Sequence, residues 1–167
     1  MLLAVDVGNT QTVLGLFAGD ELGEHWRLAT DSRRTGDELG ALLGGFLDFD
    51  AVDGVCLSST VPALIREYEE LAERWVQSPI LVAGRGTRTG MPIRYDDPRE
   101  VGPDRIANAL AARERYGAPC IVVDFGTSTN FDAVSPTYSR RASRSRWTRC
   151  SPALPDCSRS TSSSPRP

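Results

Sequence analysis

Two short segments of the chain place the same residue types in the same order. Val5-Asp6-Val7-Gly8-Asn9-Thr10-Gln11-Thr12 and Val123-Asp124-Phe125-Gly126-Thr127-Ser128-Thr129 each run from an apolar stretch into an aspartate, a glycine and a cluster of hydroxyls. That order suits phosphate. Glycine lets backbone approach closely, and turn N–H groups with Thr hydroxyls can donate to phosphate oxygens. The aspartate at each strand end faces the same place and can hold a metal ion or its water shell. Neither segment is a P-loop, since G-x-x-x-x-G-K-S/T is absent and the chain has no lysine at all. Asp and Gly also favour ordinary turns, so either segment alone reads equally as a tight hairpin. The pair, each on a strand end, points to a phosphate site.

A third segment, Val101-Gly102-Pro103-Asp104-Arg105, opens a helix. Pro103 suits the first helical position, and Asp104 lies at the positive end of the helix dipole. A carboxylate there can complement the helix end, with Arg105 pairing a surface acid. Equally, it can serve a reacting group.

The elements that must position these residues alternate strand and helix signals. Leu2–Val7, Thr12–Phe17 and Glu24–Ala29, separated by Gly8-Asn9-Thr10 and Gly19-Asp20, predict a β-meander. Helical spacing of Leu39, Leu42, Leu43 and Phe46 predicts a helix over Asp37–Leu47. A strand over Val52–Ser58 follows. Then comes a helix with Thr60 as its cap and Pro62 in its first turn, running through Leu64, Ile65, Tyr68, Leu71 and Trp75. Pro79–Ala83 is a short strand, and 84–100 a polar loop long enough to suggest function. Pro103–Tyr116 is a helix, Ala118–Phe125 a buried strand and Asn130–Val134 its hairpin return.

Charge divides the chain at Pro136. Residues 136–167 hold nine Ser, seven Arg, five Pro, a single acid and no Val or Ile. Their formal charge is +6, which leaves −9 for residues 1–135 against −3 overall. An acidic body does not suit nucleic acid, and the basic tail lacks any pattern for reading it. The tail cannot bury enough apolar area to offset its ordering entropy, so 1–135 is expected to fold as a domain and 136–167 to be a disordered, non-native tail. Read one base out of step, Ser139 to Ser151 can spell Leu-Ala-Pro-Gly-Ile-Glu-Val-Ser-Met-Asp-Ala-Leu-Phe, a loop-then-helix pattern. Free codon choice makes this reading permissive, so by itself it sets a shifted reading frame beside plain disorder as a second account of the tail. No run of 18 apolar residues suggests a membrane span. The start of the chain reads as a first strand rather than a signal peptide. Cys56, Cys120, Cys150 and Cys157 show no metal spacing, and reduced thiols make the cytoplasm the expected compartment.

Asp6–Thr10, Gly102–Arg105 and Asp124–Thr127, at these separations, resemble the type III pantothenate kinases, within the superfamily of acetate kinases, sugar kinases, Hsp70 and actin. Tyr95 with Asp97-Pro98, ahead of Glu100-Val101-Gly102, and Ser58-Ser59-Thr60-Val61-Pro62 fit further family segments, so the resemblance covers residues 1 to about 135. It implies an α/β fold, an actin-like (ribonuclease H-like) half whose second half is missing. It implies transfer of the γ-phosphoryl of ATP to pantothenate in a cytoplasmic homodimer with no nucleic-acid or membrane partner. Asp6, Val7, Gly8, Asn9, Thr10, Gln11, Thr12 and Val13, with Thr127, would bind ATP and its Mg²⁺. Tyr95, Gly102, Pro103, Asp104 and Arg105 would contact pantothenate, with Asp104 the general base. Asp124 would help hold a monovalent cation, K⁺ or NH₄⁺. Ser128 and Asn130 depart from the family's usual Ala and Thr. Two other readings stand beside this one: a kinase of the same superfamily with another small acceptor, and a non-catalytic nucleotide-binding or regulatory fragment.

Overall fold

A computed structural model describes residues 1–84, 87–90, 93 and 101–135. Tyr95, Asp97, Pro98 and Glu100, and the expected tail over 136–167, lie outside the described residues.

The chain opens with the anticipated meander: β1 (Leu2–Val7), β2 (Gln11–Ala18) and β3 (Glu21–Ala29). Then follow α1 (Gly36–Leu43), β4 (Gly54–Ser59), α2 (Pro62–Leu71), β5 (Ile80–Ala83), α3 (Pro103–Tyr116) and the hairpin β6 (Cys120–Phe125) and β7 (Thr129–Val134). The first five strands form one mixed sheet in the order β3-β2-β1-β4-β5. β1 pairs antiparallel with β2 and parallel with β4, which sets Asp6 opposite both Val13 and Ser58. Strand β1 alternates strictly. Leu3, Val5 and Val7 are buried against α1 and α2, whereas Leu2, Ala4 and Asp6 lie on the sheet's other face. Leu39 and Leu43 of α1 and Leu64, Tyr68 and Leu71 of α2 complete the core. Burial pushes the Tyr68 hydroxyl up to about 12, opposed by its hydrogen bond with Thr12.

Two helix boundaries differ from the sequence reading. Helix α1 starts a residue early because Thr35 and Glu38 form a reciprocal capping box. It stops at Leu43 rather than Leu47, where Gly44 and Gly45 follow and the N–H groups of Phe46 and Leu47 both turn back to the Leu43 carbonyl. The expected Thr60 cap of α2 is not made. Val61 occupies the cap position without a side-chain bond, and the Thr60 hydroxyl donates to the Val7 carbonyl at 3.1 Å. Beyond Leu71 the helix widens into a π turn over Ala72–Val76 that carries Trp75. The indole of Trp75 lies where a Cβ on Gly40 would sit, so glycine lets α1 and this turn close together.

Among the described residues no helix is long and apolar enough to cross a membrane.

Candidate active site

The two phosphate-type turns meet. The Thr10 and Thr127 hydroxyls are 2.9 Å apart although 117 residues separate them in the chain. They border a cleft of about 540 Å³ whose walls are Asp6, Gly8–Gln11 and Val13 on one side and Asp124–Ser128 on the other. Thr60, Asn130 and Asp104 close its ends.

The first turn is built from within the five-stranded sheet. The Gly8 N–H donates to the Gln11 carbonyl at 3.0 Å, and a Cβ on Gly8 would come within 3.0 Å of that same oxygen. The end of β3 braces it, since the Thr30 N–H donates to the Thr10 carbonyl and the Thr30 hydroxyl to that of Gly8, at 3.0 and 2.8 Å. Thr30 had no signal in the sequence, because its partners lie about 20 residues away in an unremarkable strand end. Thr12 is buried with its hydroxyl 2.9 Å from that of Thr30, and Val7 lies wholly in the core. These two expected ligands therefore hold the turn and do not line the cleft. Gly126 is likewise spent in its own turn, donating to the Ser128 carbonyl. The Gly8 and Gly126 amides are thus structural, and the side chains lining the cleft that can donate include the hydroxyls of Thr10, Thr127 and Ser128 and the amides of Asn9, Gln11 and Asn130.

Asp104 stands in the first turn of α3 with Gly102 as N-cap and Pro103 after it. Its carboxylate folds back over Gly102, where any Cβ would collide with Oδ1. That oxygen is buried and has no hydrogen-bond partner among the described residues. An unsatisfied buried carboxylate oxygen costs on the order of 1–3 kcal/mol and calls for a partner from outside. Asp104 and Asp6 also border a second, apolar pocket of about 360 Å³ between the sheet's other face and α3.

Asp6 accepts a hydrogen bond from Ser58 at 2.9 Å. Its pKa is nonetheless raised, first by burial of its carboxylate and further by the charges of Asp104 and Asp124. Part of Asp6 still faces solvent. Three carboxylates crowd one cleft whose donors are all oxygen, a setting that favours a hard cation. Among the described residues no three His, Cys, Asp or Glu side chains converge at metal-binding distance. A magnesium ion there would be held by one or two carboxylates together with phosphate oxygens, which is its usual habit.

Arg105 does not face open solvent. It forms a buried ion pair with Asp132 of β7, its Nε 3.1 Å from both carboxylate oxygens and its Nη2 on Oδ1. Asp132 carried no sequence signal, because its partner lies on another element 27 residues away.

A sequence profile of the family described as type III pantothenate kinase matches residues 2–139. A protein of that name from Acidothermus cellulolyticus is 58% identical over 140 residues, covering 81% of this chain and 55% of the relative. One from Streptomyces griseus is 51% identical over 146 residues with the same coverage. The chain thus spans about half the length of the curated relatives it matches. Among solved structures, a protein assigned as an N-acetylglucosamine kinase from Porphyromonas gingivalis superposes with a TM-score of 0.50 at 16% identity. The match covers 91% of this chain and 48% of that one, and bears on the fold alone, an actin-like half.

Proposed function

The chain belongs to the type III pantothenate kinase family, and from that premise we propose that its cleft serves transfer of the γ-phosphoryl of ATP to the hydroxyl of pantothenate, a first step toward coenzyme A. The observation that carries this is the Asp104 carboxylate, whose buried Oδ1 has no partner among the described residues, lining a cleft walled by two phosphate-type turns. Gly8, Asn9, Thr10, Gln11, Val13 and Thr127 cradle the phosphates, with Val7 and Thr12 holding the turn from behind. Asp104 accepts the proton of the acceptor hydroxyl as the new O–P bond forms. A carboxylate suffices for this, since in phosphoryl transfer positioning and charge stabilisation dominate and the proton leaves late. The apolar pocket beside Asp104 suits the branched alkyl body of pantothenate better than the hydroxyl-rich ring of a sugar.

Asp6 and Asp124 are the residues suited to the cation that accompanies the nucleotide. A divalent ion would supply charge neutralisation to the phosphate oxygens and would offset the Asp104 and Asp124 charges that add to burial in raising Asp6. Asp124 is also the residue suited to a monovalent cation, K⁺ or NH₄⁺. Tyr95 and Gly102–Arg105 are the acceptor contacts that the family resemblance carries over, together with the homodimer. The acidic balance of residues 1–135 argues against a nucleic-acid partner. The two described cysteines are free thiols, as suits the cytoplasm.

The test is direct. Protein incubated with ATP, Mg²⁺, K⁺ and pantothenate should yield 4′-phosphopantothenate, and Asp104→Asn should lower kcat by about 100-fold or more. Product from sugars in place of pantothenate would move the reading to another acceptor. Folded protein without turnover on either would overturn it for this chain.

A further inference from the structure

The faces that α3 and β7 turn toward each other repeat one order. On α3, Asp104 borders the cleft, Arg105 is buried in an ion pair and Ala109 is fully buried in a small core. On β7, Asn130 borders the cleft, Asp132 is the other member of that pair and Val134 belongs to the same small core. The Arg105–Asp132 pair thus lies between the cleft and the small apolar core in which Leu110, Cys120 and Val122 pack around Ala109 and Val134. The core it adjoins is thin, with Ala109 and Val134 its two buried members. Apolar contact between an alanine and a valine has little shape with which to set a register. A guanidinium held by both oxygens of one carboxylate is directional in distance and angle. Asp132 is 2% exposed, so water cannot screen the pair or substitute for it.

We propose that Asp132 is a positioning residue: through Arg105 it sets the height of the first turn of α3, and so the place of the Asp104 carboxylate relative to Asp124 and Thr127. The proposal rests on the kinase reading above for its consequence in catalysis, and on the geometry alone for the brace. A buried ion pair seldom adds net stability over a well-packed apolar pair, but it can specify one arrangement among several. Here the specified quantity is the separation between the proton acceptor on α3 and the phosphate turn on the hairpin. Arg105 is then a structural cation as well as the acceptor contact of the kinase reading.

Two variants and two readouts test this. Asp132→Asn keeps the shape and removes the charge, whereas Asp132→Glu keeps the charge and moves it by one methylene. Turnover is measured well below each variant's melting temperature, so that folded protein alone is compared. The expected result is a kcat lowered by about 10- to 100-fold in both variants, with KM for ATP changed less than about threefold. Amide hydrogen exchange supplies the second readout. The N–H groups of Arg105 and Ile106 should exchange at least about tenfold faster in Asp132→Asn, while those of β1 are unchanged. A kcat equal to that of the parent in folded Asp132→Asn overturns the proposal. Exchange that rises uniformly across the chain also overturns it, because Asp132 would then contribute only to global stability. Parent protein that folds but forms no phosphopantothenate defeats the kinase reading. The exchange pattern then decides the brace by itself, and unchanged exchange at Arg105 and Ile106 sinks it.

Discussion

The two turns of the cleft look alike in sequence and stand on unlike foundations. The first follows β1 in a five-stranded sheet covered by two helices, where Leu3, Leu14, Leu43, Leu57 and Leu71 are wholly buried. The second joins β6 to β7 in a two-stranded hairpin, and the small core it shares with α3 has only Ala109 and Val134 as buried members among the described residues. On the hairpin's outer face Ile121 is 70% exposed and Phe125 82%. Isolated hairpins are marginal, and each buried aliphatic side chain is worth about 1.5–3 kcal/mol, so the first unit carries most of the stability. The difference teaches where precision comes from. The first turn inherits its place from a packed core and from Thr30 behind it. The second must be fixed by point contacts across the cleft, namely Thr10 with Thr127 and Arg105 with Asp132.

Substitutions can break or sharpen that contrast, beginning with the strongest. Leu57→Ala, in the middle of the five-stranded core, should lower the unfolding free energy by about 2–5 kcal/mol in urea titration. Val134→Ala in the small core should cost about 1 kcal/mol or less on the same scale. Equal losses at the two sites would show that the hairpin is no lesser partner in folding.

Asp6→Asn probes the turn end of the stable unit and should raise the melting temperature modestly at pH 7. The sign follows from burial and the neighbouring carboxylates, which lift the Asp6 pKa in the folded protein. Such a group favours the folded state while protonated, and that contribution is lost as pH rises through its folded pKa. Asn keeps an acceptor for Ser58 without the charge. The gain should therefore appear above the ordinary carboxylate range and vanish near about pH 3, where wild-type Asp6 is protonated as well. A variant less stable than the parent at pH 7, measured by calorimetry at both values, would show that the Ser58 bond outweighs crowding. Function should move the other way, since the cation-facing charge is gone.

The smallest effect is expected at Ile121→Thr on the exposed hairpin face. A surface substitution between β-branched residues should change stability by less than about 0.5 kcal/mol. A much larger loss in the same urea titration would mean that this face is covered in solution, and the contrast between the two units would narrow.

Much of this was legible in the order of residues. The apolar run Leu2–Val7, the Gly8 and Gly126 turns, and Gly102-Pro103 ahead of a helical period are local signals, and each element they imply is present. The helix ends were less legible. Thr60 looked like a cap because Ser and Thr usually serve as such, but the parallel neighbour β1 offered it the Val7 carbonyl instead. Helix α1 ended early because two consecutive glycines outweighed the apolar spacing of Phe46. The site was legible as three motifs and illegible in its supports. Ser58, Thr30 and Asp132 each act on a partner at least 20 residues away, and no periodicity or spacing records such a pairing.

The chain by itself determined the elements and the kind of chemistry. Asp-x-Gly turns with hydroxyls and a Pro-Asp helix start are properties of short segments, decided by local sterics and hydrogen bonding. Tertiary structure decided which of those residues face the cleft. It sent Val7 and Thr12 into the core, brought Thr10 to Thr127, left one oxygen of Asp104 buried without a partner among the described residues, and paired Arg105 with Asp132. The reason is physical. A side chain's direction depends on which face the packed sheet must bury, and a buried charge must meet its partner wherever the fold places it.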